Sequence, residues 1–217
     1  EQAGVNFAAG KGIAADDPRA LDKLRALPPD AVVDGMNLAN RPAGDPTYAG
    51  PWADGALAVD SARAFSEGRY AKVPVMIGAT SADIGGRTGF MVAGARSLAA
   101  TLAGHGVPVY AYRFSYVAES LDEAGAQHAT DIPFFFDTAA IKYGDKATAR
   151  DAGMGRAMSA YLVNFAKRGD PNGPGLPAWP RYARDLDAIM DFAPSGLPVA
   201  GKDPWGSEID AAQAAHQ

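Results

Sequence analysis

The chain has 217 residues, 47% of them hydrophobic and 21% charged, a balance that suits one or two globular domains. A formal net charge of −5 with no basic cluster argues against a nucleic-acid partner, and no apolar run is long enough to span a bilayer. The absence of cysteine excludes disulfides and thiolate metal sites.

With 25 glycines and 16 prolines, connecting loops should be plentiful. The opening EQAGVNFAAGKG lacks the basic-then-apolar layout of a signal peptide. Asp16, Asp17 and Pro18 form an acidic start for a helix over 19–27, where Ala20, Leu21, Leu24 and Leu27 recur at helical spacing, and Pro28 and Pro29 end it. Residues 40–55 read as an irregular, turn-rich loop, and a short helix follows over 61–68. The apolar run 73–77 suits a strand buried on both faces of a parallel sheet, emptying into the small-residue loop GATSAD that holds Asp83.

Residues 91–102 are apolar on all sides and predict a well-buried helix, stopped at Gly-His-Gly by His105 and its neighbours. The alternation of PVYAYRFSY predicts a second strand over 108–116. A long amphipathic helix is expected from about 148 to 167, carrying Met154, Met158, Tyr161, Leu162 and Phe165, with Gly169 at its left-handed cap. A last strand over 186–194 and a last helix over 203–215 complete the chain. Strands separated by helices imply an α/β layered sheet, although three strands are few for a complete doubly wound domain.

In open α/β sheets, functional residues gather in loops beyond the carboxyl ends of strands. Asp83 and His128 occupy two such loops, and acid before histidine is the order of the later two members of an α/β-hydrolase triad. The carboxylate would accept Nδ1–H and fix the imidazole, whose Nε2 would take a serine proton and return it to the leaving alcohol. Only neutral imidazole can do so, so activity is expected to rise with pH. Each residue also has an ordinary reading, since a loop histidine serves equally as a surface or capping group and a loop aspartate as a turn former. Asp131 is a rival acid, expected instead to fix the histidine loop. His105 is expected to favour the end of its helix electrostatically, and the penultimate His216 to fray. Phe134, Phe135 and Phe136 read as core, those nearest His128 being available to line a pocket and to desolvate the imidazole. GATSADIGGRTG matches no phosphate-binding spacing, the scattered histidines offer no metal pair, and Asp170 with Asn172 reads as a turn, so no cofactor or metal is expected.

Four stretches in series resemble the type-B carboxylesterase (carboxylesterase/cholinesterase) family of α/β-hydrolases. KVPVMIGATSADIGG resembles its strand and acid-bearing loop, with Asp83 where the family usually has Glu. PVYAYRFSYV is similar to the next strand, GAQHATDIPFFFD to the catalytic-histidine segment, and NFAKRGDPNGPGLPAWPRY to a helix end, turn and Trp-Pro-x-Tyr. The upstream GIAADDPRALDKLRALPPDAVV resembles its helical region. The resemblance implies a serine esterase acting through an acyl-enzyme on a small-molecule ester, with Asp83 and His128 as catalytic residues.

No G-x-S-x-G occurs anywhere in the chain; Ser97 falls within a helical pattern and Ser81 in the acid loop. The chain therefore reads as the C-terminal portion of a single α/β-hydrolase catalytic domain, the C-terminal part of the sheet with flanking helices, with the nucleophile supplied by the N-terminal part of the same enzyme. Asp83 and His128 are closer in sequence than the family resemblance implies, which puts an excised, disordered or naturally absent helical segment near Arg87 and Thr88. The alternative is a non-catalytic binding module of the same fold, or an inactive fragment.

Overall fold

The computed structural model describes residues 1–33, 47–48 and 53–215. The loop expected over 40–55 falls largely outside these residues, as does His216. The chain divides into two compact units, Glu1–Ser61 and Ala62–Gln217.

The first unit contains helices α1 (Gln2–Gly10), α2 (Ala20–Arg25) and α3 (Pro29–Val33). After α1 the chain folds back, Ile13 N–H donating to the Ala8 carbonyl at 2.9 Å, and both side chains are buried. α2 is shorter than its spacing predicts; Asp17 accepts the Arg19 N–H at 2.8 Å and pairs with Lys23, forming an acidic turn before the helix. Pro29 stands at the first position of α3, where its missing N–H is no loss.

The second unit carries α4 (Ser61–Ser66, from residue 62), β1 (Val75–Thr80), α5 (Phe90–Gly104), β2 (Val109–Phe114), α6 (Ile132–Phe135), α7 (Ala139–Tyr143), α8 (Ala149–Arg168), β3 (Ala188–Phe192), β4 (Pro198–Lys202) and α9 (Gly206–Ala214). The sheet order is β1-β2-β3-β4, parallel until the last pair, which is antiparallel. Alternation along β2 sends successive side chains to opposite faces. Tyr110 and Phe114 join Phe134, Met154, Met158, Tyr161 and Trp179 under α6 and α8, while Val109 and Ala111 join Ala99, Leu102 and Tyr182 under α5. Helices thus cover both faces of a mostly parallel sheet, the layered α/β arrangement that the sequence predicts.

Local chemistry sets the element ends. α8 starts in a capping box between Thr148 and Asp151 and stops at Gly169, whose φ of 69° is left-handed. A Cβ at Gly169 would also lie 2.7 Å from Pro74 Cγ, so glycine lets the end of α8 meet the chain entering β1.

Within the sheet and its covering helices, β1, α5 and β4 differ from the sequence-based expectation. β1 begins after Pro74 rather than at residue 73, and its first four residues are only partly buried. The predicted burial on both faces fails because β1 lies at the end of the sheet order. α5 buries Val92, Ala93, Ala99 and Leu102 but leaves Phe90 exposed, because the sheet covers one side of it. β4 escapes sequence reading because Pro198 and Gly201 are strand breakers, and a terminal strand tolerates both.

Candidate functional site

β1 and β2 are parallel and adjacent, so the loops leaving their carboxyl ends emerge side by side. Backbone bonds then zip these loops together. Ser81 N–H donates to the Phe114 carbonyl at 2.8 Å, and Ala82 N–H to the Ala126 carbonyl at 2.8 Å. Ala126 N–H in turn donates to Ser81 Oγ at 2.9 Å, and Ala82 forms a parallel bridge with Gln127. Ser81, set aside as a nucleophile on sequence grounds, is the clasp between the acid loop and the histidine loop. Gly125 permits the approach, since a Cβ there would stand 3.1 Å from Ala82 Cβ.

This zipper brings together the two residues singled out from sequence. His128 Nδ1 lies 2.7 Å from Asp83 Oδ1. Asp83 is buried and is held from its own loop: Ile84 N–H donates to Oδ1 at 2.8 Å and Thr80 N–H to Oδ2 at 3.1 Å. Burial pushes its carboxyl up, but the bonds from Ile84, Thr80 and His128 outweigh burial and hold it below the usual carboxylate range. An ionised Asp83 makes Nδ1 the donor, which leaves the lone pair of a neutral imidazole on Nε2. Among the described residues Nε2 carries no hydrogen bond, and about half of the His128 side chain (49%) is exposed. The expected desolvation of His128 by the aromatic run is therefore not observed. Phe134 instead turns into the core beneath α6, and Phe136 faces outward.

The turn after His128 is backbone-driven. Ala129 adopts φ of 65°, and Thr130 N–H and Oγ1 both donate to the Gln127 carbonyl, at 3.1 and 2.7 Å. Pro133 then opens α6 in the first turn, a helix where a loop was expected. The rival acid, Asp131, sits at the N-cap of α6, nearly buried, and accepts a bond from the Tyr112 hydroxyl at 3.0 Å.

The remaining candidates lie elsewhere. Ser97 is inside α5, its carbonyl taking the Thr101 hydroxyl at 3.0 Å. His105 caps the C-terminus of α5 and shares a 2.9 Å hydrogen bond with the Tyr70 hydroxyl through Nδ1. Asp170 accepts bonds from the Asn172 backbone and side-chain amides at 2.9 and 2.8 Å, a turn. Among the described residues no three His, Asp or Glu gather as a metal ion would require, and no helix is long and apolar enough to cross a membrane. A cleft of about 430 Å3 borders the zipped loops, lined in part by Ser81, Arg113, Gln127, Asp191 and Trp205. Within it the Arg113 guanidinium pairs with Asp203 at 2.9 Å and stacks 3.9 Å from the Trp205 ring centroid. Sequence reasoning singled out none of this cluster, because a charged residue in a strand shows its buried partner only after folding.

Residues 86–200 match the profile of the Carboxylesterase family, a stretch that begins just past Asp83 and includes His128. Carboxylesterase 5A of Canis lupus familiaris is 39% identical over 88 residues, covering 36% of this chain and 15% of that protein. The medium-chain fatty acyl-CoA hydrolase precursor of Anas platyrhynchos is 36% identical over 85 residues, 37% of this chain and 15% of the relative. Acylcarnitine hydrolase of Mus musculus is 38% identical over 96 residues, 41% of this chain and 17% of the relative. The chain thus spans about a sixth of the length of the curated relatives it matches.

Proposed function

We propose, for a chain that belongs to the carboxylesterase family, that it supplies the acid and the histidine of a serine-dependent carboxylic ester hydrolase. The observation that carries the reading is the 2.7 Å contact between His128 Nδ1 and a buried, ionised Asp83, with Nε2 left open. Asp83 holds the tautomer and favours the imidazolium; His128 Nε2 takes the hydroxyl proton of a serine as that oxygen attacks the ester carbonyl. The tetrahedral intermediate collapses, the alkoxide leaves with the proton from Nε2, and an acyl-serine remains. Water then attacks the acyl-serine, giving its proton to Nε2, and the carboxylic acid departs as the serine recovers that proton.

The serine comes from the N-terminal part of the same enzyme, which carries G-x-S-x-G. Support for this lies in the small share of its relatives that the chain covers and in β1, which has a strand neighbour on one side only among the described residues. Exposed Ile84 and Ile132 beside the paired loops offer further apolar surface for that part. Residues 1–217 are then the C-terminal portion of one catalytic domain. The 83–89 link, where Gly86 N–H donates to the Asp83 carbonyl at 2.9 Å, is where the family resemblance puts a missing helical segment. The relatives' names, carboxylesterase, fatty acyl-CoA hydrolase and acylcarnitine hydrolase, support acyl transfer to water as the reaction class.

The test is steady-state hydrolysis of a nitrophenyl ester by the complete enzyme. His128→Ala and Asp83→Asn are each expected to lower kcat by about 10³–10⁴-fold or more, as removal of one member of a working unit does. Normal turnover by either variant would overturn the assignment.

A further inference from the structure

The cleft of about 430 Å3 beside the paired loops has the size of a small-molecule pocket. It lies where open α/β sheets place their ligands, beyond the carboxyl ends of parallel strands. The loops of Asp83 and His128 give it Ser81 and Gln127, β2 and β3 give it Arg113 and Asp191, and the start of α9 gives it Trp205.

Its chemistry is set at Arg113, a strand cation that is only 5% exposed. One branch of the guanidinium is engaged, Nη2 donating to Asp203 Oδ2 at 2.9 Å. Asp203 is fully engaged too, because its Oδ1 accepts the Trp205 N–H at 2.9 Å. Cζ of Arg113 stands 3.9 Å from the Trp205 ring centroid, which limits how far the fork can turn. The other branch is unmet: among the described residues Nη1 is buried and has no hydrogen-bond partner. Asp191 is its counterpart. It pairs with Arg113 in register across β2 and β3, so both side chains leave one face of the sheet from backbones roughly 5 Å apart. Its Oδ1 is likewise buried and without a partner among the described residues. Buried polar atoms are rarely left so, because each has given up its hydration and gained nothing in return. Here a donor and an acceptor stand unmet side by side at the wall of an open cleft.

The charges of the cleft favour a neutral ligand. Arg113 is matched by Asp203, and Arg87, 4.8 Å from the same Trp205 ring, has Glu208 within 4.0 Å. A carboxylate would meet Asp191, and a cation would meet Arg113 and Arg87. A carboxamide is a neutral group that carries an acceptor and a donor side by side in one plane. We propose that this cleft binds a carboxamide-bearing small molecule, whose carbonyl accepts from Arg113 Nη1 and whose N–H donates to Asp191 Oδ1. The Asp191 side chain is only partly buried, so its carboxyl can turn to admit the amide. The site uses neither Asp83 nor His128 and goes beyond the ester-hydrolase reading.

The experiment titrates the complete enzyme with three matched compounds and follows the Trp205 indole resonance by NMR. Benzamide carries both the carbonyl and the N–H, acetophenone lacks the N–H, and benzoate replaces the amide with a charge. Benzamide is expected to move the Trp205 resonance saturably in the millimolar range, and the other two to bind about tenfold more weakly or worse, since each leaves a buried group unmet. Two variants follow. Asp191→Leu replaces the acceptor with an apolar side chain of similar size, and Arg113→Lys keeps a cation for Asp203 but loses the fork. Each should weaken benzamide by about tenfold, with an unmoved Trp179 indole resonance showing that the fold is kept. No saturable shift at Trp205, equal binding of the three compounds, or a preference for benzoate would overturn the proposal. So would wild-type affinity for benzamide in Asp191→Leu. The titration needs no turnover, so an enzyme that hydrolyses no ester would fail the functional reading and leave this one to its own result.

Discussion

Ala129 is the residue on which the direction of His128 turns. Its φ of 65° is left-handed, a conformation that costs an L-residue with a Cβ roughly 1–2 kcal/mol. Glycine relieves that strain but loses more entropy on folding, by about 0.5–1 kcal/mol, so Ala129→Gly should be between neutral and about 1 kcal/mol more stable. Ala129→Val adds a β-branched side chain to the same backbone and should destabilise by about 2 kcal/mol, with kcat falling because the imidazole is displaced. Denaturant midpoints of the complete enzyme, read beside ester turnover, check both; a Val variant as stable and active as wild type would contradict the account. At this level much was legible beforehand. His128 and Asp83 were visible from their loops and chain order. The clasp by Ser81, the handedness at Ala129 and the reach of Tyr112 to Asp131 were not, because each depends on where a neighbouring strand places its backbone.

The start of α8 shows how an element is anchored by more than its own turn. Asp151 closes the capping box, accepting from Thr148 N–H at 2.8 Å and Thr148 Oγ1 at 3.1 Å, and also takes the Tyr116 hydroxyl at 2.7 Å and Glu119 N–H at 3.2 Å. Burial pushes its carboxyl up, yet the Thr148, Tyr116 and Glu119 bonds outweigh burial and leave it below the usual range. A carboxyl depressed in the folded state adds stability that is complete above its unfolded titration near about 4 and is lost as pH falls through the folded value. Asp151→Asn should therefore destabilise by about 1–3 kcal/mol at neutral pH, with the gap to wild type narrowing below about pH 4. Urea midpoints across pH 2–7 would test it (roughly the span of carboxylate titration), a pH-independent gap being the contrary result. The limits of α8 were legible from periodicity and Gly169. Its links to Tyr116 and Glu119 were not, since nothing in local spacing brings residues 116 and 119 to a helix that starts at 149. β4 was missed for a related reason, because its pairing with β3 overrides its own poor strand chemistry.

On the largest scale, the second unit has an α/β core whose strand order ends in β1, with the paired loops at that end of the sheet. An edge strand that presents unpaired backbone groups is a template for another strand. In the proposed enzyme that strand belongs to the part carrying the serine, which places the nucleophile's loop beside those of Asp83 and His128. The layered α/β class and the family resemblance could be read from four short stretches in series. The position of β1 at the end of the sheet could not, because a buried-looking apolar run does not state how many neighbours it has.

The central claim is that this chain supplies the base to a serine it does not itself contain. Labelling the complete enzyme with a fluorophosphonate, followed by peptide mapping, tests it most directly. The account predicts one adduct, on a serine within G-x-S-x-G and outside residues 1–217, forming at a rate that His128→Ala lowers by about 10³-fold or more. An adduct on Ser81, Ser97 or another serine of this chain, or labelling that proceeds unchanged without His128, would contradict it.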